Sequence, residues 1–275
     1  MLRLWRDRVR IALCPDRLIA VRYGAGPRPR IVDKMVQNNY STPGAGWQEL
    51  LPLLKATLNN PEWKNADATL VLSNYFVHYL LLPWNAVSLT DAEQRSLLQH
   101  RYAEVYGEAS AAWELRIHEG SFGSPSLASA VDRSLLEQLT RIFDDSPLRL
   151  KSIQPYLMTA FNDCRRKLGN QAAWLLLAEP GVFCIGLLRN GQWQAIRSRR
   201  ADGDWFDEAM LALEREMLLA DKEYENSKVF MYAPELPVSS PIRRGALVIH
   251  PLQPAVPAAL SAGDMGVYAM AAAGG

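Results

Sequence analysis

The sequence predicts a mixed α/β protein of two lobes, in which one strand-and-helix pattern is used twice. Three observations predict it. Short apolar runs broken by Gly and Pro fill residues 9–36, and the same layout returns at residues 173–198. Each time a helical pattern and then a buried strand follow. Between the two lies a stretch with helices and strands of its own. The repeat is one of architecture, not of sequence.

In order along the chain, VRIALC, a turn at Pro15-Asp16, RLIAVRY, the linker GAGPRP and RIVDKMV give three strands. Trp47, Leu50, Leu51, Leu54 and Leu58 recur at helical spacing. DATLVLS, at 67–73, reads as a buried strand, and 76–83 runs extended to Pro83-Trp84. Thr90-Asp91-Ala92-Glu93 is a capping box. It opens a helix with Leu97, Leu98, Tyr102 and Val105 on one face, and Gly107 stops it. Strands at 113–118 and 126–131 flank a Gly120–Ser124 loop. Asp132 caps a helix carrying Leu135, Leu139 and Ile142, a strand covers 148–153, and a helix spans 156–168. After a joint at 169–171 come strands at 173–178, 182–188 and 192–198. A helix over 204–224 then presents Phe206, Met210, Leu213 and Met217 on one face. Strands at 228–232 and 246–250, a Pro-rich connection over 251–257 and a helix over 258–273 close the pattern. The division expected is 1–75 for the first half of lobe one, 76–155 for an inserted α/β subdomain, 156–171 for a connecting helix and 172–275 for lobe two. Leu97, Leu98, Tyr102, Leu135, Leu139 and Ile142 are expected to form the small core of the insertion.

Composition narrows the function. The 275 residues are 49% hydrophobic and 21% charged, enough to bury a real core. Thirty basic against 29 acidic residues leave a charge of +1, which gives no case for nucleic acid. The local run Arg3, Arg6, Arg8 and Arg10 reads as a solvated strand edge. Cys14, Cys164 and Cys184 form no CxxC, and their odd number suits a reducing compartment, where each serves as a small buried residue. The N-terminal stretch lacks the apolar centre of a signal peptide, and no apolar run reaches the ~18 residues of a membrane span. A soluble cytoplasmic protein is expected, without direct membrane insertion, and any membrane association must be through a partner. His78, His100, His118 and His250 show no metal-ligand spacing, GxSxG is absent, and Gly24-Ala25-Gly26 lacks the rest of a dinucleotide loop. The eight tryptophans have no fixed interval and read as core or groove lining.

One stretch has the outline of a phosphate-binding hairpin: LAEPGVFCIGLLRNGQW, residues 177–193. It belongs to WLLLAEPGVFCIGLLRNGQWQAIRSR. Two further stretches are LLLPWNAVSLTDAEQRSLLQHRYAEVYG and VDRSLLEQLTRIFDDSPLRLKSIQPYLMTAF. With the duplicated βββαβ pattern, these make the chain resemble the actin-like ATPase superfamily, whose halves are ribonuclease H-like. Within it the chain is similar to the PilM-like group of type IV pilus and type II secretion assembly proteins, which includes the cytoplasmic domain of GspL.

The resemblance implies a nucleotide site that has decayed. Active members open each half with an Asp-x-Gly hairpin, where backbone N–H groups meet phosphate and the aspartate organises magnesium. In the first hairpin Leu13 or Cys14 stands at the aspartate, Pro15 removes a donor, and Asp16 follows. In the second, Glu179-Pro180-Gly181 falls on the motif: Glu179 keeps a charge, Gly181 keeps the turn, and Pro180 deletes an N–H. The Gly-Gly pair of the adenosine site has no counterpart in Met231–Glu235. Asp16, Glu179 and Gly181 are thus expected to be vestigial positions, with no catalytic or metal residue and with magnesium-ATP disfavoured as a cofactor. The function implied is a non-catalytic scaffold that binds the cytoplasmic tail of an inner-membrane pilus or secretion protein. An assembly ATPase and a second copy of the chain are further partners. The alternative is a nucleotide-binding ATPase of the same superfamily that uses Glu179. The tail is expected in a groove between lobe one and the insertion, with Leu82 and Trp84 as candidate lining.

Overall fold

The computed structural model describes residues 6–26, 30–39, 46–85, 89–201, 204–236, 238–254 and 260–273. Arg3 of the basic run, part of the GAGPRP linker, much of the Pro-rich connection and the start of the closing helix lie outside them.

The first sheet begins with β1 (Arg8–Leu13), β2 (Arg17–Tyr23) and β3 (Ile31–Asn38), an antiparallel meander. Helix α1 (Leu50–Leu58) returns the chain to β4 (Asp67–Leu72), which pairs parallel to β1. The chain then departs through β5 (His78–Leu82), α2 (Asp91–Tyr106), β6 (Trp113–His118) and β7 (Ser126–Asp132), which build a separate sheet in the order β5-β7-β6. Helix α3 (Arg133–Asp144) leads back to β8 (Arg149–Pro155), parallel to β4, and α4 (Tyr156–Leu168) crosses to the second half. The first sheet therefore runs β3-β2-β1-β4-β8.

The second half repeats this plan. Strands β9 (Ala173–Glu179), β10 (Val182–Arg189) and β11 (Gln192–Arg200) form the meander, α5 (Trp205–Leu219) returns the chain, and β12 (Lys228–Tyr232) pairs parallel to β9. Then come β13 (Ile242–Arg244), β14 (Leu247–Pro251) and α6 (Ala262–Ala272). The order β11-β10-β9-β12-β14-β13 matches the first sheet strand for strand, with β13 added at the edge. Residues 9–36 and 173–198 supply equivalent meanders of two sheets. Every residue of the central strand β9 is buried, which is why its sequence is a continuous apolar run and not an alternation.

The closing helices knit the halves together. Helix α4 packs on β4, β8 and β9, and α6, from the second half, covers β1 and β2 of the first sheet. This explains why the basic run is not a uniform solvated edge. Arg6 and Arg8 are exposed, but Arg10 is buried. Its strand lies inside the sheet, and its side chain faces α6. There its Nε donates to the Ala271 carbonyl at 2.9 Å and its Nη2 to the Ala273 carbonyl. The guanidinium satisfies carbonyls left over at the helix C-terminus and complements the negative end of the helix dipole.

The expected core of the insertion divides in two. Leu98 and Tyr102 pack with Leu82, Ala128 and Ala130 between α2 and the small sheet, whereas Leu97 is exposed. Leu135 and Leu139 instead join the main core with α1 and β8, and Ile142 packs against it. The cause is pairing: β8 completes the first sheet beside β4, so the apolar stripe of α3 lies over that sheet. The helix expected over 204–224 ends at Leu219, because Ala220 turns extended at ψ 158°. The closing helix starts at a capping box formed by Ser261 and Asp264.

Replacing Arg10 by Ala should lower the urea-unfolding free energy by about 3 kcal/mol, the scale of charge-assisted bonds lost to buried carbonyls. A variant as stable as the parent would show that the seat of α6 does not depend on this guanidinium.

Candidate functional site

Both hairpins touch the opposite lobe, the first through Arg17 and the second through Glu179. In the first, Leu13 pairs with Leu18 and the Cys14 N–H donates to the Arg17 carbonyl at 2.9 Å. Cys14 is buried, with its Sγ 3.5 Å from the Met270 Sδ of α6, so the place of the missing aspartate is sealed by helix. Asp16 is exposed, 3.8 Å from Arg17. In the second hairpin Glu179 pairs with Val182 around a two-residue Pro180-Gly181 turn, and Gly181 takes φ +77°, which favours glycine. Gly181 is exposed at the tip.

Glu179 does not face an open phosphate pocket. It is 7% exposed, and its Oε1 accepts the backbone N–H of Asn74 at 2.9 Å. Asn74 opens a 3-10 turn, Asn74–Phe76, directly after β4. The carboxylate of lobe two is therefore docked on a turn of lobe one. Burial raises the Glu179 carboxyl, the Ser73 hydroxyl and the Asn74 backbone and side chain pull it down, Glu235 pushes it up, and the balance lies at about 7. Burial also pushes the thiols of Cys164 and Cys184 up to about 12, so neither is poised as a nucleophile.

The remaining cleft positions are bridged too. Arg17, in the first hairpin, forms an ion pair with Glu235 of the second lobe. Glu235 follows β12, at the end of the glycine-free stretch Met231–Glu235. The Pro234-Glu235 turn rests against α6 at Gly266, where a Cβ would come within 3.1 Å of the Pro234 carbonyl. Lys34 of β3 pairs with Asp264 of α6. Asp16, Glu179 and Gly181 do not converge as a ligand cradle: one is exposed on each hairpin, and the third is spent on Asn74.

A separate groove of about 840 Å³ lies between the small sheet and the first lobe. Strand alternation builds it. Trp113, Leu115 and Ile117 of β6 pack toward α2 with Ala128 and Ala130 of β7, so Glu114, Arg116, Ser129 and Val131 face the groove. Leu136 of α3 and the strand ends Leu72, Ile153 and Pro155 supply more apolar surface, while Arg133, Arg141 and Glu137 add charge. Arg116 is engaged by Glu114 at 3.0 Å. The candidates Leu82 and Trp84 lie elsewhere. Leu82 is buried under α2, and Trp84 stacks edge-on with Phe122 at 5.0 Å, at the opposite end of β5 from the groove. The signal that was missed is the alternation in WELRIH, whose charged residues mark the face turned from α2.

No family model and no curated protein matches the sequence. Solved structures do match. A chain of the PilM-PilN type IV pilus biogenesis complex aligns with TM-score 0.62 at 14% identity, covering 96% of each chain. The cytoplasmic domain of EpsL, an inner-membrane component of the type II secretion system of Vibrio cholerae, aligns with TM-score 0.56 at 9% identity over 90% of each chain. A Bacteroides thetaiotaomicron protein with an actin-like ATPase fold gives 0.54 at 10% identity, over 82% of this chain and 81% of that one. The chain has the actin-like ATPase fold.

The folded state holds the Glu179 proton more tightly than the unfolded chain, whose carboxyl has the ordinary value of 4.5. The contribution of this group to stability is therefore full below about pH 4.5, declines up to about pH 7 and is flat above. The decline is on the order of 3 kcal/mol. Glu179→Gln keeps an acceptor for the Asn74 N–H and should remove this component, making the variant more stable than the parent at pH 8. Parallel pH–stability curves for the two proteins would refute the assignment.

Proposed function

We propose that this actin-like chain is a non-catalytic scaffold whose groove between the small sheet and the first lobe holds an extended peptide. The peptide is the cytoplasmic tail of an inner-membrane protein of a pilus or secretion machine, and the chain works on the cytoplasmic face of that membrane. The observation that carries the reading is a division of labour. The cleft where superfamily members hold nucleotide is bridged by Glu179–Asn74 and Arg17–Glu235, while the groove stands open, with an apolar floor and a charged rim. An extended chain fits such a surface through apolar anchors and polar contacts at the margin. The alignments with a PilM-PilN complex chain and with an inner-membrane component's cytoplasmic domain support the choice of partner class. Among the described residues no helix is long and apolar enough to cross a membrane, so the chain would meet the membrane through that partner. Asp16, Glu179 and Gly181 are, on this reading, remnants of phosphate hairpins.

The test uses fluorescent peptides copied from the cytoplasmic segments of single-span membrane proteins encoded beside this gene. One of them should bind, as read by anisotropy. Leu136→Asp should weaken it at least tenfold, about 1.4 kcal/mol, and Trp84→Ala should not. Calorimetry with magnesium-ATP should give no heat. Heat that vanishes in Glu179→Ala would instead establish the nucleotide-binding ATPase.

A further inference from the structure

The groove and the interlobe cleft share one residue. Asn74 is 2% exposed and contacts three parts of the molecule. Its N–H is held by Glu179 of the second lobe at 2.9 Å. Its Oδ1 accepts the Leu157 N–H at 3.0 Å and the Tyr79 hydroxyl at 2.6 Å. Leu157 lies in the first turn of α4, whose N-cap is Pro155 and which has no side-chain cap of its own. Asn74 thus caps a helix to which it does not belong. Tyr79 lies in β5, in the small sheet.

These contacts are made by residues close in sequence to the groove lining. Leu72 lines it two residues before Asn74, and Pro155 lines it two residues before Leu157. Tyr79 belongs to the sheet that forms the facing wall. One side-chain oxygen therefore ties the two walls together, and the carboxylate from the other lobe fixes the residue that carries it.

We infer that Asn74 is the positioning residue of the groove and that Glu179 sets it, so that the placement of the second lobe controls the spacing of the groove walls. A displacement of lobe two pulls on the Ser73–Asn74 turn. The cap on α4 and the tie to β5 then loosen together. Conversely, a peptide that spreads the walls strains the same oxygen and is felt at Glu179. Coupling of this kind needs an element that both sites bias, and here it is a single turn. The inference concerns regulation of the groove proposed above as the partner site, but its test requires no partner.

Amide hydrogen exchange is measured on the intact chain. Glu179→Ala should raise exchange about tenfold at Leu157, along 74–79 and in the groove segments 129–137 and 149–155, and leave the β1–β2 and β10–β11 pairs unchanged. Glu179→Gln, which keeps the acceptor, should not raise exchange at these amides above the parent's. Asn74→Ala removes Oδ1 and the side-chain contact with Glu179 but keeps the backbone N–H and the Ser73 hydroxyl that hold the carboxyl, so it should loosen Leu157 and the groove more than it loosens the Glu179 end of β9. It also serves if Glu179→Ala does not fold. An unchanged Leu157 amide in these alanine variants, or an equal rise throughout both sheets, overturns the inference. Loss of peptide binding in an otherwise correct exchange pattern would count against the partner reading alone.

Discussion

A buried carboxylate must find donors, and for Glu179 the donors belong to the other lobe. That requirement orders much of the molecule. An unsatisfied buried carboxyl costs several kcal/mol, so the second lobe has one favourable seat on the first, with the Ser73–Asn74 turn against the end of β9. The turn in turn places the start of α4 and the first residues of the small sheet. Around this point the other bridges fall into line: Arg17 with Glu235 at the cleft mouth, and Arg10 and Lys34 with α6.

In a nucleotide-binding actin-like protein, phosphate and metal would join the two hairpins. Here the chain supplies both halves of the contact. A covalently attached carboxylate has no translational freedom to lose on docking, so a modest hydrogen bond suffices where a free ligand would need several. The longer arm of glutamate, relative to aspartate, reaches past the hairpin to the opposite lobe. On the scaffold reading proposed above, the prolines beside it, which remove N–H donors, do no harm, since no phosphate has to be held. Glu179 and Glu235 each make a contact between the lobes, with Asn74 and Arg17.

Much of this was legible in the sequence. The duplicated meanders could be read because turn residues punctuate apolar runs, and the caps at Thr90 and Asp132 could be read because their spacing follows from backbone geometry. Arg10 misled, since nothing local to β1 tells that a helix from the far end of the chain will cover it. The split of the insertion was hidden for a similar reason: the stripe on α3 says that it is buried, not on which sheet. Strand β13, three residues with two arginines, carries too little apolar pattern to be seen. At the site, Glu179 could be picked out from the Glu179-Pro180-Gly181 turn, but its contact with Asn74 could not, because that residue lies 105 positions away in the other lobe. Asn74 was passed over entirely, because an asparagine after a strand is ordinary until its partners are known.

The seat of α6 has a consequence for how the protein is made. Arg10 and the carbonyls it binds are separated by 261 and 263 positions. As the chain leaves the ribosome, β1 and β2 can pair at once, but the face that α6 covers stays bare until residues 262–272 have been synthesised. A nascent chain with a bare apolar sheet face is a natural client for chaperones. Long-range closure of this kind also slows folding, since the loop must be ordered before the contact rewards it. The two lobes, so alike in plan, are not independent folding units: the first becomes complete only when the second lends it a helix.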